Sequence, residues 1–282
     1  MKVIVVLLLL VSNLWPLGGG VVSLRGVPAA GPDERLYLSA VRSFHGGHWS
    51  TSAIWLKELV DRYPNSPRRP KAALLLGQSY YKQKYYKQAY AALSNNRLAA
   101  GGLADQYVYW MAECRVGQGS WDAADQIFGE LLREFPNSSR RLESTISSAF
   151  IAAQREDWSR VISLLRPASG VFQAQLGNGA ENDLLQEGCL LLSGAFLEQK
   201  DPRSAKLLLE LLPRVMTKDR TRRKELLNLR IMAVSGSFPE VMHKLDALQH
   251  GELEWLIQIV RLKVALLIIQ KKCQTAAQEG IK

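Results

Sequence analysis

The sequence predicts an all-α protein, a right-handed α-solenoid of about six helical hairpins followed by a C-terminal helix. Three observations carry this. The stretch WSTSAIWLKELVDRYPNSP, from Trp49 to Pro67, returns as WDAADQIFGELLREFPNSS from Trp121 to Ser139, 72 residues on, or two periods of 36. Small residues recur at one place in each helix pair: Ala40, Gly77, Ala112, Ala149 and Ser193 in first helices, Ser52, Ala89, Ala124 and Ala205 in second helices. Four residues past each second-helix position a bulky apolar residue lies on the same face, namely Leu56, Leu93, Phe128, Leu165, Leu209 and Leu245. Repetition on this length scale marks a stacked array. Small side chains let paired helices approach toward the close end of the usual range of about 8–10 Å.

Taken in order, residues 1–22 read as a signal peptide: Lys2, then VIVVLLLLV, then small residues and turn formers. A spanning helix needs about 20 apolar residues, and Ser12, Asn13 and Pro16 interrupt this run. An uncleaved inner-membrane anchor is the alternative. No cysteine follows the apolar run, so a lipid-anchored start is not expected. Residues 23–32 form a Gly/Pro linker, and 33–251 hold the hairpins, about 33–67, 68–102, 103–139, 140–181, 182–221 and 222–251.

In the first hairpin Asp33 is expected to cap a helix that ends near Gly46 and Gly47. The second helix, Ser50 to Tyr63, stops at Pro64, which lacks the next helical N–H. Asn65 and Ser66 then favour a turn. The second pairs Arg69–Lys82 with Tyr86–Leu93, and the third pairs Ala104–Val116 with Trp121–Phe135. The fourth pairs Arg141–Gln154 with Trp158–Leu165, and an insertion at 168–182 reads as a loop. The fifth pairs Asp183–Glu198 with Pro202–Leu212, and the sixth pairs Arg222–Val234 with Pro239–Leu248. In the sixth, Leu229 and Val241 occupy the small positions, so looser or differently angled packing is expected. Residues 252–282 form a terminal helix, about Glu252 to Lys271, and a tail.

With 47% apolar and 22% charged residues the chain has ample material to bury, which excludes general disorder. The formal charge of +10 suggests anionic partners. Basic residues gather at Arg68, Arg69 and Lys71, and again at Arg220, Arg222, Arg223 and Lys224. This basic rim suits an acidic glycan or anionic lipid. Nucleic acid is disfavoured by export and by the lack of interleaved base-stacking residues.

Chemistry is sparse. Cys114, Cys189 and Cys273 form no CxxC pair, so neither a disulfide framework nor a structural zinc site is expected. His45 and His48 share a turn with no third ligand evident. Glu113 is expected to be a solvated carboxylate without a partner. Phosphate cradles and nucleophile elbows are absent. The expectation is a non-catalytic protein with no cofactor and no metal.

The run YPNSPRRPKAALLLGQSYYKQKYYKQAYAAL, with FPNS, Trp121 and Ala124 later, resembles the tetratricopeptide repeats of bacterial cell-envelope proteins. It is most similar to the Tol-Pal coordinator family and the outer-membrane barrel-assembly lipoprotein. The likeness covers residues 34–165 and departs in lacking the lipidation cysteine and N-terminal coiled-coil heptads. It implies a scaffold of the periplasm or outer membrane that docks protein or peptide partners; an accessory module of an envelope enzyme is an alternative. Since first helices line the inside of such arrays, the concave face is expected to present Tyr37, Val41, Phe44, Gln78, Tyr81, Lys82, Tyr109, Glu113 and Phe150. Aromatic rows of this kind anchor many interfaces.

Overall fold

In the computed structural model the described residues, 31–177, 179–248, 256, 257 and 259–268, form helices and turns, with no strand among them. Hairpin one is α1 (Pro32–His45) with α2 (Trp49–Arg62), and hairpin two is α3 (Arg69–Lys82) with α4 (Tyr86–Ser94). Two 3-10 turns, Arg97–Ala99 and Gly101–Leu103, lead to α5 (Ala104–Gly117) and α6 (Trp121–Glu134). Hairpin four is α7 (Arg141–Gln154) with α8 (Trp158–Leu165), followed by a short α9 (Val171–Leu176). Then come α10 (Asp183–Glu198) with α11 (Pro202–Glu210), and α12 (Lys218–Val234) with α13 (Phe238–Ala247). Each second helix packs on its own first helix. The helices α2, α4, α6, α8 and α11 also pack on the first helix of the next hairpin. First helices touch in series, α1 on α3, α3 on α5, α7 on α10 and α10 on α12.

The small residues sit where helices cross. Ala40, Ser52, Ala89, Ala112, Ala124, Ala149, Ser193 and Ala205 are all fully buried. A Cβ on Gly77 would stand 2.6 Å from Cγ of Leu93, so α3 meets α4 through a position that admits no side chain. Where serine replaces alanine its hydroxyl bonds across the crossing: Ser52 Oγ donates to the Ala40 carbonyl at 2.9 Å, and Ser193 Oγ to the Ala205 carbonyl at 3.2 Å. Leu56, Leu93, Phe128, Leu165, Leu209 and Leu245 are buried, as the spacing requires.

The six hairpins among the described residues turn alike. One residue in each takes positive φ: Gly47, Lys84, Gly119, Glu156, Lys200 and Gly236. The next residue then donates its N–H to the carbonyl five back, for example Tyr85 to Tyr80 at 2.9 Å and Asp201 to Phe196 at 2.8 Å. This closes the first helix with a Schellman bond. Asp157 and Asp201 then cap α8 and α11, accepting from the N–H of Arg160 and Ser204.

Between hairpins the YPNSP and FPNSS turns have a job that sequence spacing did not reveal. Ser66 Oγ donates to Asp33 and accepts from the N–H of Arg68, whose guanidinium reaches Glu34 at 2.6 Å. The arrangement repeats 72 residues on. There Ser138 donates to Asp105 at 2.6 Å and accepts from the N–H of Arg140, which donates to Gln106 at 2.8 Å. Asp33 therefore does not cap α1. Gly31 holds that place with Pro32 behind it, and the Ser66 hydroxyl holds the Asp33 carboxyl below its ordinary range.

Two other expectations are corrected. The insertion at 168–182 is not a free loop: α9 buries Phe172 completely against α10, where a Cβ on Gly188 would fall 2.2 Å from its ring. The α12 helix begins at Lys218 rather than Arg222, because Thr217 caps it by accepting from the N–H of Arg220. In the sixth hairpin Leu229 and Val241 are buried and share a cluster with Ile259 and Leu266 of the helical segment 259–268. Lys263 of that segment pairs with Asp246 of α13. No described helix is long and apolar enough to cross a membrane. The signal segment, Cys273, and the ends of the expected terminal helix lie outside the described residues.

Three of the six positive-φ positions carry a side chain, and a left-handed conformation costs an L-residue about 1–2 kcal/mol. Lys84→Gly, Glu156→Gly and Lys200→Gly should therefore each stabilise the array by about 0.5–1 kcal/mol after the larger unfolded-state entropy of glycine is offset. An increased midpoint in urea denaturation is the expected readout.

Candidate functional site: an aromatic cluster and an apolar groove

The residues expected on the inner face divide into two groups. In the N-terminal half Tyr81 and Tyr109 are joined by residues the sequence reading did not assign to this face. The Tyr81 ring meets Tyr86 at 5.3 Å and Trp110 at 5.2 Å between centroids, Trp110 meets Tyr109 at 5.5 Å, and Tyr109 meets Phe128 at 6.2 Å. These rings belong to α3, α4, α5 and α6, so they pack between repeats. Tyr37 lies under the Arg68 guanidinium at 5.8 Å, and Phe44 meets His45 edge-on. Val41 and Gln78 are half-buried, and Lys82 is exposed.

Glu113 is neither solvated nor alone. Its carboxylate accepts from the Tyr81 hydroxyl at 3.2 Å and from Ser147 at 3.4 Å, which links hairpins two, three and four. Burial raises its pKa, while the hydroxyls of Tyr81, Ser147 and Tyr109 pull it the other way and Glu143 adds to the rise. Burial also lifts Tyr81 and Tyr109 well above the ordinary phenol range. Helical period placed Glu113 on this face, but the hydroxyl donors lie 32 and 34 residues away and only the stacked repeats bring them in.

The C-terminal half has an open groove of about 650 Å³. Phe150 from α7, Trp158 from α8, Leu190 and Gly194 from α10, Leu227 from α12 and Leu262 from segment 259–268 line it. Three first helices, α7, α10 and α12, thus form one apolar channel. Gly194 helps keep it open. A Cβ there would meet only Leu227, at an ordinary 3.9 Å, although glycine inside a helix costs about 1 kcal/mol against alanine. Of the expected inner-face residues only Phe150 lines this groove. The sequence reading passed over Gly194, whose place in mid-helix is a signal that could have pointed to the groove.

The basic clusters are drawn into the joints between hairpins. Arg68 pairs with Glu34, Arg220 with Asp183 at 2.6 Å, and Arg223 with Glu187 at 2.7 Å. Arg69 donates to the Val60 carbonyl, Lys224 to the Leu212 carbonyl, and Arg222 also has a partner. Lys71 is exposed. Each exposed pair is worth about 0–1 kcal/mol. Burial pushes the thiols of Cys114 and Cys189 up to about 12, which leaves them protonated and inert near neutral pH.

Hairpins with small residues at the crossings, Schellman turns and stacked first helices define a tetratricopeptide-type α-solenoid. The comparisons agree with that class. The family described as outer membrane lipoprotein (YfiO) matches residues 29–113, and the tetratricopeptide repeat family matches residues 106–138. Among solved structures, a tetratricopeptide repeat protein from Parabacteroides merdae ATCC 43184 superposes with a TM-score of 0.57 at 14% identity, covering 87% of this chain and 90% of that one. Comparison with curated proteins found no match.

Glu113 gives the site a pH signature. Its raised folded pKa means the unfolded chain releases that proton first, so its contribution to stability is full below the ordinary carboxylate range. That contribution is lost as pH rises through the folded value. Glu113→Gln should raise the denaturation midpoint at pH 7, with the difference from the parent protein shrinking toward pH 4. A difference that does not change between these two pH values would contradict this placement.

Proposed function

We propose that the chain is a non-catalytic scaffold of the bacterial cell envelope that holds a protein segment against the face built by its first helices. One observation carries this reading. The apolar groove lined by α7, α10 and α12 is of the size at which pockets hold ligands, about 300–1,000 Å³, and its walls are side chains of the kind that anchor interfaces. The likeness of residues 29–113 to outer membrane lipoproteins supports the envelope as its place, either periplasmic or associated with the outer membrane. The expected signal segment agrees with export. A polyanion adaptor is less well supported, since most residues of the basic rim are already engaged by carboxylates or carbonyls of the same chain.

The aromatic cluster is the weaker candidate for a docking surface, because Tyr81, Tyr109 and Trp110 are occupied with one another. Replacing Tyr81 or Tyr109 by alanine would open cavities between repeats and confuse folding with binding. Gly194→Phe is the cleaner test. It adds volume to the groove where a Cβ meets no close neighbour. Crosslinked co-purification from envelope fractions should lose at least about tenfold in recovered partner, a loss of about 1.4 kcal/mol or more in binding, while helicity is unchanged. Undiminished recovery by the folded variant would remove the groove as the working surface.

A further inference from the structure

The groove is not electrically neutral. Beside its apolar walls, and among the described residues, three arginines line it, Arg223, Arg230 and Arg261, and no carboxylate does. The first two are committed: Arg223 holds Glu187 at 2.7 Å and Arg230 holds Glu198 at 2.5 Å. Arg261, in the helical segment 259–268, is exposed and makes no ion pair among the described residues. An incoming segment therefore meets two neutralised pairs and one guanidinium that no carboxylate among the described residues compensates.

Backbone chemistry narrows the conformation of the occupant. An extended peptide here would leave its N–H and C=O groups to side chains and water, since no strand among the described residues offers an edge to pair with. A helix satisfies its own backbone and needs only an apolar stripe to lie in a groove. Resting on the proposed reading of the groove, we infer that its occupant is an amphipathic helix from a protein partner. Carboxylates flank its apolar stripe, and Arg261 is the residue that reads them. A guanidinium beside apolar walls is suited to this, being weakly hydrated and able to hold a carboxylate through two N–H groups.

The test uses the full chain and three 18-residue fluorescent helical peptides with one leucine stripe, flanked by glutamate, glutamine or lysine. Binding is read by anisotropy at low salt. The parent protein should bind the glutamate peptide about three- to tenfold tighter than the glutamine peptide, the range expected of one partly exposed charge pair at an interface. Arg261→Gln should abolish that preference, Arg261→Glu should turn it toward the lysine peptide, and Gly194→Phe should lose all three. Equal binding of glutamate and glutamine peptides, with Gly194→Phe still losing both, overturns the acidic preference but leaves the groove standing. A preference that survives Arg261→Gln overturns the role of Arg261. No peptide bound overturns the amphipathic-helix occupant, and binding untouched by Gly194→Phe, or phosphatidylglycerol vesicles bound where no peptide is, overturns both readings.

Discussion

The close approach of two helices at a residue too small to hold them apart is the constraint on which this molecule rests. Gly77 shows it most clearly, since even one carbon added there would collide with Leu93. The same contact recurs at Ala40 with Ser52 and at Ser193 with Ala205, where a hydroxyl bonds the opposite carbonyl instead of leaving a polar group unpaired. Once each pair is fixed at short range, the bulky residue one turn on has a defined place to go. The stack then grows by repeating that contact, and each hairpin answers mainly to its neighbours.

Polar groups set how one hairpin sits on the next. Serine and arginine in the turn before α3 reach back to the start of α1, and their counterparts before α7 reach back to the start of α5. Farther along, Arg160 holds Asp125 and Arg230 holds Glu198 across similar separations. Individually such pairs contribute little to stability. Their regular placement makes them register marks, and it accounts for much of an arginine content that composition alone would assign to an anionic partner.

Much of the fold was legible because its signals are local. Helix ends at Pro64 and Gly46, the tryptophans that open α2, α6 and α8, and the stripe from Leu56 to Leu245 all follow from period and turn chemistry. The start of α12 was hidden in a charged run whose only marker is the Thr217 cap. The α9 helix was hidden because six residues give too short a pattern, although Phe172 fits a space that Gly188 leaves. The site was far less legible. Glu113 looked isolated because its hydroxyl partners lie a full repeat away in either direction. Tyr81 and Tyr109 were expected on the concave face because sequence cannot tell an aromatic facing solvent from one facing the next hairpin. The groove itself arises from three first helices and the segment after them, none of which carries a motif.

The N-terminal rings and the C-terminal groove thus divide the residues expected on the inner face, with their neighbours, into a packed part and an open part. Gly194 leaves room where a side chain would fill it, and Phe150 and Trp158 stand beside that room without closing it. Site-specific photo-crosslinking in intact cells tests this division most directly, with a photoreactive phenylalanine analogue placed at Ala153 in the groove or at Leu207 on α11, 65% exposed and outside it. The account predicts a discrete partner adduct from position 153 and none from 207; an adduct from 207 alone would contradict it.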